Sequence, residues 1–248
     1  MRHAIFAVCA ALSIALTLAG LAAAEPAQAQ ANICANRTFE EQRFVVCAVD
    51  LTQHDIRLFL KQTDGTNYAH PEALPRERLL FATNAGMFTP EHEPAGLYVE
   101  NGWVRKSINT RSGVGNFHVQ PNGVFWVRDG MAAVSTTDAY VKEKPDPDYA
   151  TQSGPMLVIG GKLNAKFDKD GVSRYIRNGV GVQDATHVYF AISEDPLSFG
   201  VFARLFKDGL KCPDALYLDG SISRLYRPDK PDMRGLPFGP MIAVYAHE

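Results

Sequence analysis

Residues 187–220 read HVYFAISEDPLSFGVFARLFKDGLKCPDALYLDG. His187 to Ile192 is an apolar run of strand length. Ser198 to Asp208 sets Phe202, Leu205 and Phe206 on one face at helical spacing. Ser198 suits an N-cap and Gly209 a helix stop. Ala215 to Leu218 is apolar again and runs into Asp219-Gly220. A helix between two strands reads as one crossover unit.

The rest of the chain has a different texture, of short apolar runs cut by turn signals. Phe44 to Leu51 and Ile56 to Leu60 flank Thr52-Gln53-His54-Asp55 and read as a hairpin. Leu79 to Thr83 runs into Asn84-Ala85-Gly86. Gly96 to Glu100 and Trp103 to Lys106 flank Asn101-Gly102, a pair suited to the positive φ of a type I′ turn. Phe117 to Gln120 and Val124 to Arg128 flank Pro121-Asn122-Gly123, and Asp129-Gly130 turns the chain into Met131 to Val134. Thr137 to Glu143 reads as a short helix stopped by Lys144-Pro145-Asp146-Pro147. Pro155 to Ile159, Gly179 to Val182 and Met241 to Tyr245 are further strands. The fold class is α+β and β-dominated, a mostly antiparallel mixed sheet with one main helix crossover.

The N-terminal residues set the compartment. Arg2 and His3 precede an apolar stretch from Ala4 to Leu21, then Ala22-Ala23-Ala24 and Ala27-Gln28-Ala29. This is the pattern of a secretory signal peptide over residues 1–24, with cleavage as late as 29. The stretch also nears the length of a membrane span, which leaves an uncleaved anchor open. Residues 30–248 then form one domain, periplasmic or secreted, with no stable membrane span after cleavage. The formal charge of -2, or -3 once Arg2 is removed, carries no basic excess for a nucleic acid.

Export takes Cys9 away with the signal. Cys34 and Cys47 are expected to pair and staple the N-terminal arm to the first strand. Cys212 is left as a small buried hydrophobe. No His, Cys and Asp cluster has metal-ligand spacing, so neither a metal nor a cofactor is expected, although the loop carboxylates leave a Ca²⁺ open.

Four segments end apolar runs with polar groups and glycines: Thr83 to Phe88, Gln152 to Met156, Arg177 to Gly181 and Tyr217 to Ser223. A strand holds such a polar residue rigidly, and glycine lets the backbone turn or a ligand approach. In this order they resemble the phosphodiester glycosidase family, that of the "uncovering enzyme" N-acetylglucosamine-1-phosphodiester α-N-acetylglucosaminidase. Asn84-Ala85-Gly86-Met87-Phe88 stands where the family has Asn-Gly-Gly-Phe-Phe. Leu218-Asp219-Gly220-Ser221-Ile222-Ser223 stands where it has Leu-Asp-Gly-Gly-Gly-Ser. The resemblance runs from Phe44 to Tyr245. A bacterial branch is marked by Gly113-x-Gly115-Asn116-Phe117-His118, Gln152 to Met156 and Phe202 to Phe206. Ser221 and Ile222 depart from the family glycines and put an N-acetylglucosamine specificity in question.

The resemblance implies an exported hydrolase cleaving a sugar-1-phosphate linkage in an envelope or extracellular glycan. Such a bond breaks with positive charge on the sugar and a phosphate leaving as a stable anion. Arg177 is then expected as the phosphate clamp. Asp219 is the carboxylate, as base on water or as counter-charge to the transition state. His118 is a proton carrier, and Glu194 a second carboxylate. Asn84, Gly86, Ser153, Gly154, Asn178, Gly220 and Ser223 line the substrate.

Plainer readings stand beside these. Asp219-Gly220 is a common turn dipeptide, Arg177 suits an exposed hairpin tip, Asn84 suits a loop cap, and His118 alternates with apolar neighbours as a solvent-facing residue does. The alternative function is a non-catalytic envelope glycan-binding protein on the same fold. Sugar, aglycone, stereochemical course and oligomeric state are not legible in the sequence.

Overall fold

The computed structural model describes residues 1, 32–220, 222–230 and 237–247. The expected signal peptide and Ser221 lie outside them. From residue 32 the described elements begin with β1 (Cys34–Phe39), β2 (Gln42–Asp50), β3 (His54–Phe59) and β4 (Leu79–Asn84). There follow β5 (Tyr98–Glu100), β6 (Trp103–Lys106), β7 (Gly123–Arg128), β8 (Met131–Thr136) and helix α1 (Thr137–Glu143). Next come β9 (Tyr149–Ser153), β10 (Met156–Ile159), β11 (Lys162–Leu163), β12 (Asn178–Val182) and β13 (His187–Ser193). Helix α2 (Phe199–Arg204), β14 (Asp214–Tyr217), β15 (Leu225–Tyr226) and β16 (Met241–Ala246) complete the order.

The strands form three antiparallel sheets. One has the order β1-β2-β13-β12-β14-β10-β11, a second β15-β4-β16-β3 and a third β6-β5-β9-β7-β8. The crossover lies in the first. Strands β13 and β14 both pair antiparallel with β12 and so run parallel to each other, and α2 connects them. The Ser198 hydroxyl accepts from the Val201 N–H and caps α2. The helix loosens into a π turn over Leu205–Gly209, shorter in its α-helical part than the periodicity predicts.

One residue pattern explains why three sheets pack as one body. Phe190 on β13, Phe81 on β4 and Phe125 on β7 meet edge-on, with centroids 5.5 and 5.8 Å from Phe190. Each sheet contributes one ring to this contact within the central core, an arrangement favoured beyond simple burial. The opposite face of the first sheet is covered by α2, where Phe202 stacks on Phe44 and meets Phe206 edge-on.

Two expected hairpins are corrected. β2 and β3 flank a tight turn yet belong to different sheets, β2 pairing with β13 and β3 with β16. The turn is folded on itself by Asp50, which accepts from the Thr52 N–H and hydroxyl at 2.9 and 2.7 Å. Phe117 to Gln120 is no strand. Asn116–His118 is a 3-10 turn pinned by the Asn122 amide donating to the Phe117 carbonyl at 3.0 Å. The Asn101-Gly102 and Asp129-Gly130 turns do close β5–β6 and β7–β8, all four residues at positive φ.

Cys34 lies opposite Cys47 across β1 and β2, and the two form a disulfide. Cys212 is buried beside Gly181, and burial pushes its thiol up to about 12. Among the described residues no helix is long and apolar enough to cross a membrane.

Unfolded without reductant, the chain lacking residues 1–24 should titrate one thiol, Cys212, and a count of three would refute the pairing. Replacing Cys47 with Ser should lower stability by about 3 kcal/mol in chemical denaturation, given the short loop closed.

Candidate functional site

The ends of four strands from all three sheets converge on one corner of the molecule. Asn84 closes β4 in the second sheet, and Asn178 opens β12 in the first. Both are buried, and their side-chain amides bond reciprocally. Asn178 Nδ2 donates to Asn84 Oδ1 at 2.9 Å, and Asn84 Nδ2 donates to Asn178 Oδ1 at 3.3 Å. The remaining capacity goes to the backbone around Asp219. Asn178 Oδ1 accepts from the Asp219 N–H at 3.1 Å, and Asn84 Oδ1 accepts from the Arg224 N–H at 3.1 Å. Asn178 Nδ2 also donates to Thr83 Oγ1, which donates to the Arg224 carbonyl at 2.7 Å. The pair therefore grips both ends of the 219–224 segment.

Ser223 and Ser153 complete this frame. Ser223 Oγ donates to the Asp219 carbonyl at 2.6 Å, and Ser153 Oγ, at the end of β9, donates to the Leu218 carbonyl at 2.5 Å. The Gly86 N–H donates to Thr151 Oγ1 at 3.0 Å, and a Cβ at Gly86 would collide with the Gln152 carbonyl. Gly86 thus lets the loop after β4 lie directly on β9. Gly154 packs against the Phe117 carbonyl in the same way. The structure brings Asn84, Asn178, Ser153, Ser223, Gly86 and Asp219 together around one loop. The two amides are taken up by each other and by backbone, so they act here as positioning groups rather than as open donors.

Arg177, expected as the phosphate clamp, is fully buried. Its Nε donates to the Leu197 carbonyl and its Nη2 to the Ser173 carbonyl, both at 2.9 Å. The guanidinium carbon stacks 3.6 Å from the centroid of Phe199. A desolvated cation over an aromatic face gains on the order of 2 kcal/mol, and the carbonyls supply the rest of its solvation. Burial pulls the guanidinium below its ordinary pKa. Beside it, burial pushes the Tyr217 phenol well above its ordinary value, against the pull of the Arg177 charge. Among the described residues neither Arg177 Nη1 nor the Tyr217 hydroxyl has a hydrogen-bond partner of good geometry.

Tyr217 was missed by the sequence reading. It stands two residues before Asp219, where strand alternation puts it on the same face, and that spacing was the available signal. Its hydroxyl sits directly under Gly220, where any Cβ would strike it. Thr83, Thr151 and Arg224 were also missed, because their roles depend on partners more than sixty residues away.

The other two expected catalytic groups have different surroundings. His118 Nδ1 faces the Arg111 carbonyl at 3.0 Å, its ring lying beneath Gly113 and against Phe117. Glu194 is partly exposed, with Oε2 at 3.4 Å from Arg43 Nη1. It lines a cavity with Ser223, Arg224, Arg227 and Lys230. Among the described residues no three His, Cys, Asp or Glu side chains converge as a metal site requires.

Residues 77–244 match the model of the phosphodiester glycosidase family. The uncharacterized protein YigE of Escherichia coli (strain K12) is 33% identical over 176 residues, 69% of each chain. Among solved structures, the fold is similar to the zebrafish N-acetylglucosamine-1-phosphodiester α-N-acetylglucosaminidase catalytic domain, auto-inhibited by its pro-peptide. That likeness has a TM-score of 0.54 at 14% identity and covers 87% of this chain and 81% of that one. A hypothetical protein from Synechocystis gives the same TM-score of 0.54 and identity of 14%, over 86% of this chain and 61% of that one. The chain belongs to the phosphodiester glycosidase family.

The contact under Gly220 can be tested directly. Gly220→Ala should destabilise the protein by about 1–3 kcal/mol through overpacking. Tyr217→Phe, which removes the struck oxygen, should recover part of that loss in the double variant. Additive losses in a thermal-denaturation cycle would show that the two residues do not touch.

Proposed function

We propose that this member of the phosphodiester glycosidase family hydrolyses a glycosyl-phosphodiester bond, the sugar-1-phosphate linkage of an envelope or extracellular glycan. The observation that carries the reading is the placement of Asp219. Its carboxylate belongs to a nearly buried residue whose backbone is fixed by the Asn84–Asn178 pair, Ser153 and Ser223, at the meeting point of three sheets. A rigid carboxylate at a strand end is what general-base work at an anomeric carbon requires.

In this reaction the oxygen of water bonds to the anomeric carbon, and the bond from that carbon to the phosphate oxygen breaks. The electron pair leaves with the phosphate, and Asp219 takes the proton from the water. The products are the free sugar and a phosphomonoester. A phosphate leaving group is stable as an anion, so little general-acid help is needed. That agrees with a Glu194 already engaged by Arg43 and a His118 held against Arg111. Arg177 supports the loop from beneath, with Tyr217 between it and Gly220.

Location outside the cytoplasm is part of the same proposal. The Cys34–Cys47 disulfide and the signal-like pattern of the first 29 residues support it. The departure of Ser221 and Ile222 from the family glycines favours the second reading, a glycan-binding protein without turnover.

Hydrolysis of a panel of sugar-1-phosphodiesters by the protein and its variants separates the two. Asp219→Asn should lower kcat by about 10²–10⁴-fold with its melting temperature retained, the range for loss of a general base. Arg177→Ala should act chiefly on folding, at a cost of about 3 kcal/mol or more for removing a large buried side chain. Turnover that survives Asp219→Asn would place the chemistry elsewhere. Glycan binding with no turnover on any substrate would establish the binding protein.

A further inference from the structure

The network that holds Asp219 also borders a separate cavity of about 270 Å³. Ser223, Arg224, Arg227, Lys230 and Glu194 line it, with an apolar wall that includes Ile176. Arg227 and Lys230 bring two cations to this lining beside Glu194, which Arg43 already offsets at 3.4 Å. Arg227 and Lys230 are brought side by side by a tight turn, in which the Lys230 N–H donates to the Arg227 carbonyl at 3.1 Å. Asp229, in the same turn, sits 3.7 Å from Arg227 Nε and takes one side of a guanidinium that has five N–H donors. Apolar surface beside charged groups lowers the local dielectric and strengthens their pull on an oxyanion.

The cavity's position gives it a meaning for the reaction. Ser223 reaches the Asp219 carbonyl, and the Arg224 N–H is held by Asn84, so cavity and reaction centre share one frame. Asp219 and Gly220 are not among the residues lining the cavity. A group bound there therefore sits beside the reacting bond rather than on it. We infer that this cavity is a subsite for a second anionic group, a phosphate or carboxylate carried by the substrate beyond the scissile phosphodiester, with Arg227 and Lys230 as its specificity residues. This inference rests on the hydrolase reading and narrows its substrate class to glycosyl phosphodiesters with an acidic aglycone.

The test compares two substrates that share one sugar-1-phosphodiester, one with a propyl aglycone and one with a phosphopropyl aglycone. The protein should show a KM about tenfold lower for the phosphopropyl compound, equivalent to about 1.4 kcal/mol. That ratio should fall to about twofold in Arg227→Gln and by about threefold in Lys230→Gln, changes typical of one lost charge contact. Lys230 is exposed, so its variant reads the subsite even where Arg227→Gln folds poorly. A ratio near one in the unaltered protein, or a ratio kept in both variants, overturns the inference. In the second case the scissile phosphate itself would occupy the cavity or the site would lie elsewhere.

If no substrate is turned over, the hydrolase reading fails by itself. The subsite is then read by inorganic phosphate at fixed ionic strength. A rise in melting temperature with 10-millimolar-range phosphate that is lost in Lys230→Gln sustains an anion subsite. No rise in the unaltered protein overturns it.

Discussion

The reciprocal amide pair of Asn84 and Asn178 is the contact on which the site depends. It is the point where the first and second sheets are joined by side-chain hydrogen bonds in the interior. Every donor and acceptor on the two amides is used, which is the condition for burying them at little cost. A satisfied hydrogen bond contributes about 1 kcal/mol net, while an orphaned buried partner costs about 1–3 kcal/mol. Losing either asparagine would therefore strand the other amide and the backbone N–H groups of the 219–224 segment together. The frame is cooperative for that reason, and a polar cluster inside an apolar core becomes a device for setting one loop.

Around this frame, close approach replaces bulk. Gly86 lets the loop after β4 touch β9, and Gly220 sits over the Tyr217 hydroxyl. Below them a fully buried Arg177 is solvated by two backbone carbonyls and by the face of Phe199. A buried charge with such partners holds its neighbours to one arrangement, because any movement would leave it unsolvated. Gly220, next to Asp219 in the chain, thus rests on a neutral phenol that has the buried cation beside it.

Much of this was legible in the residues themselves. Strand texture, the Asn101-Gly102 and Asp129-Gly130 turns, α1 and the α2 crossover follow from local rules, since turn chemistry and hydrophobic period are written within a few residues. The ordered polar segments pointed to the corner where Asn84, Ser153, Asn178, Asp219 and Ser223 meet. Two hairpins were misread for the same reason those successes came easily. A tight turn such as Thr52 to Asp55 is locally identical whether its flanking strands pair with each other or part to separate sheets.

The sequence by itself determined the class of fold, the Cys34–Cys47 partnership and the family to which the chain belongs, because periodicity, position and motif order are linear properties. Only the tertiary structure decided what each polar residue does. Arg177 and Arg227 are the same residue type and both are buried, yet one is spent on Leu197, Ser173 and Phe199 while the other lies near Asp229 and borders a cavity beside Ser223. Which donors are consumed inside and which face outward depends on partners dozens of residues away. Side-chain type fixes the capacity to bind, and packing fixes whether any of that capacity is left over.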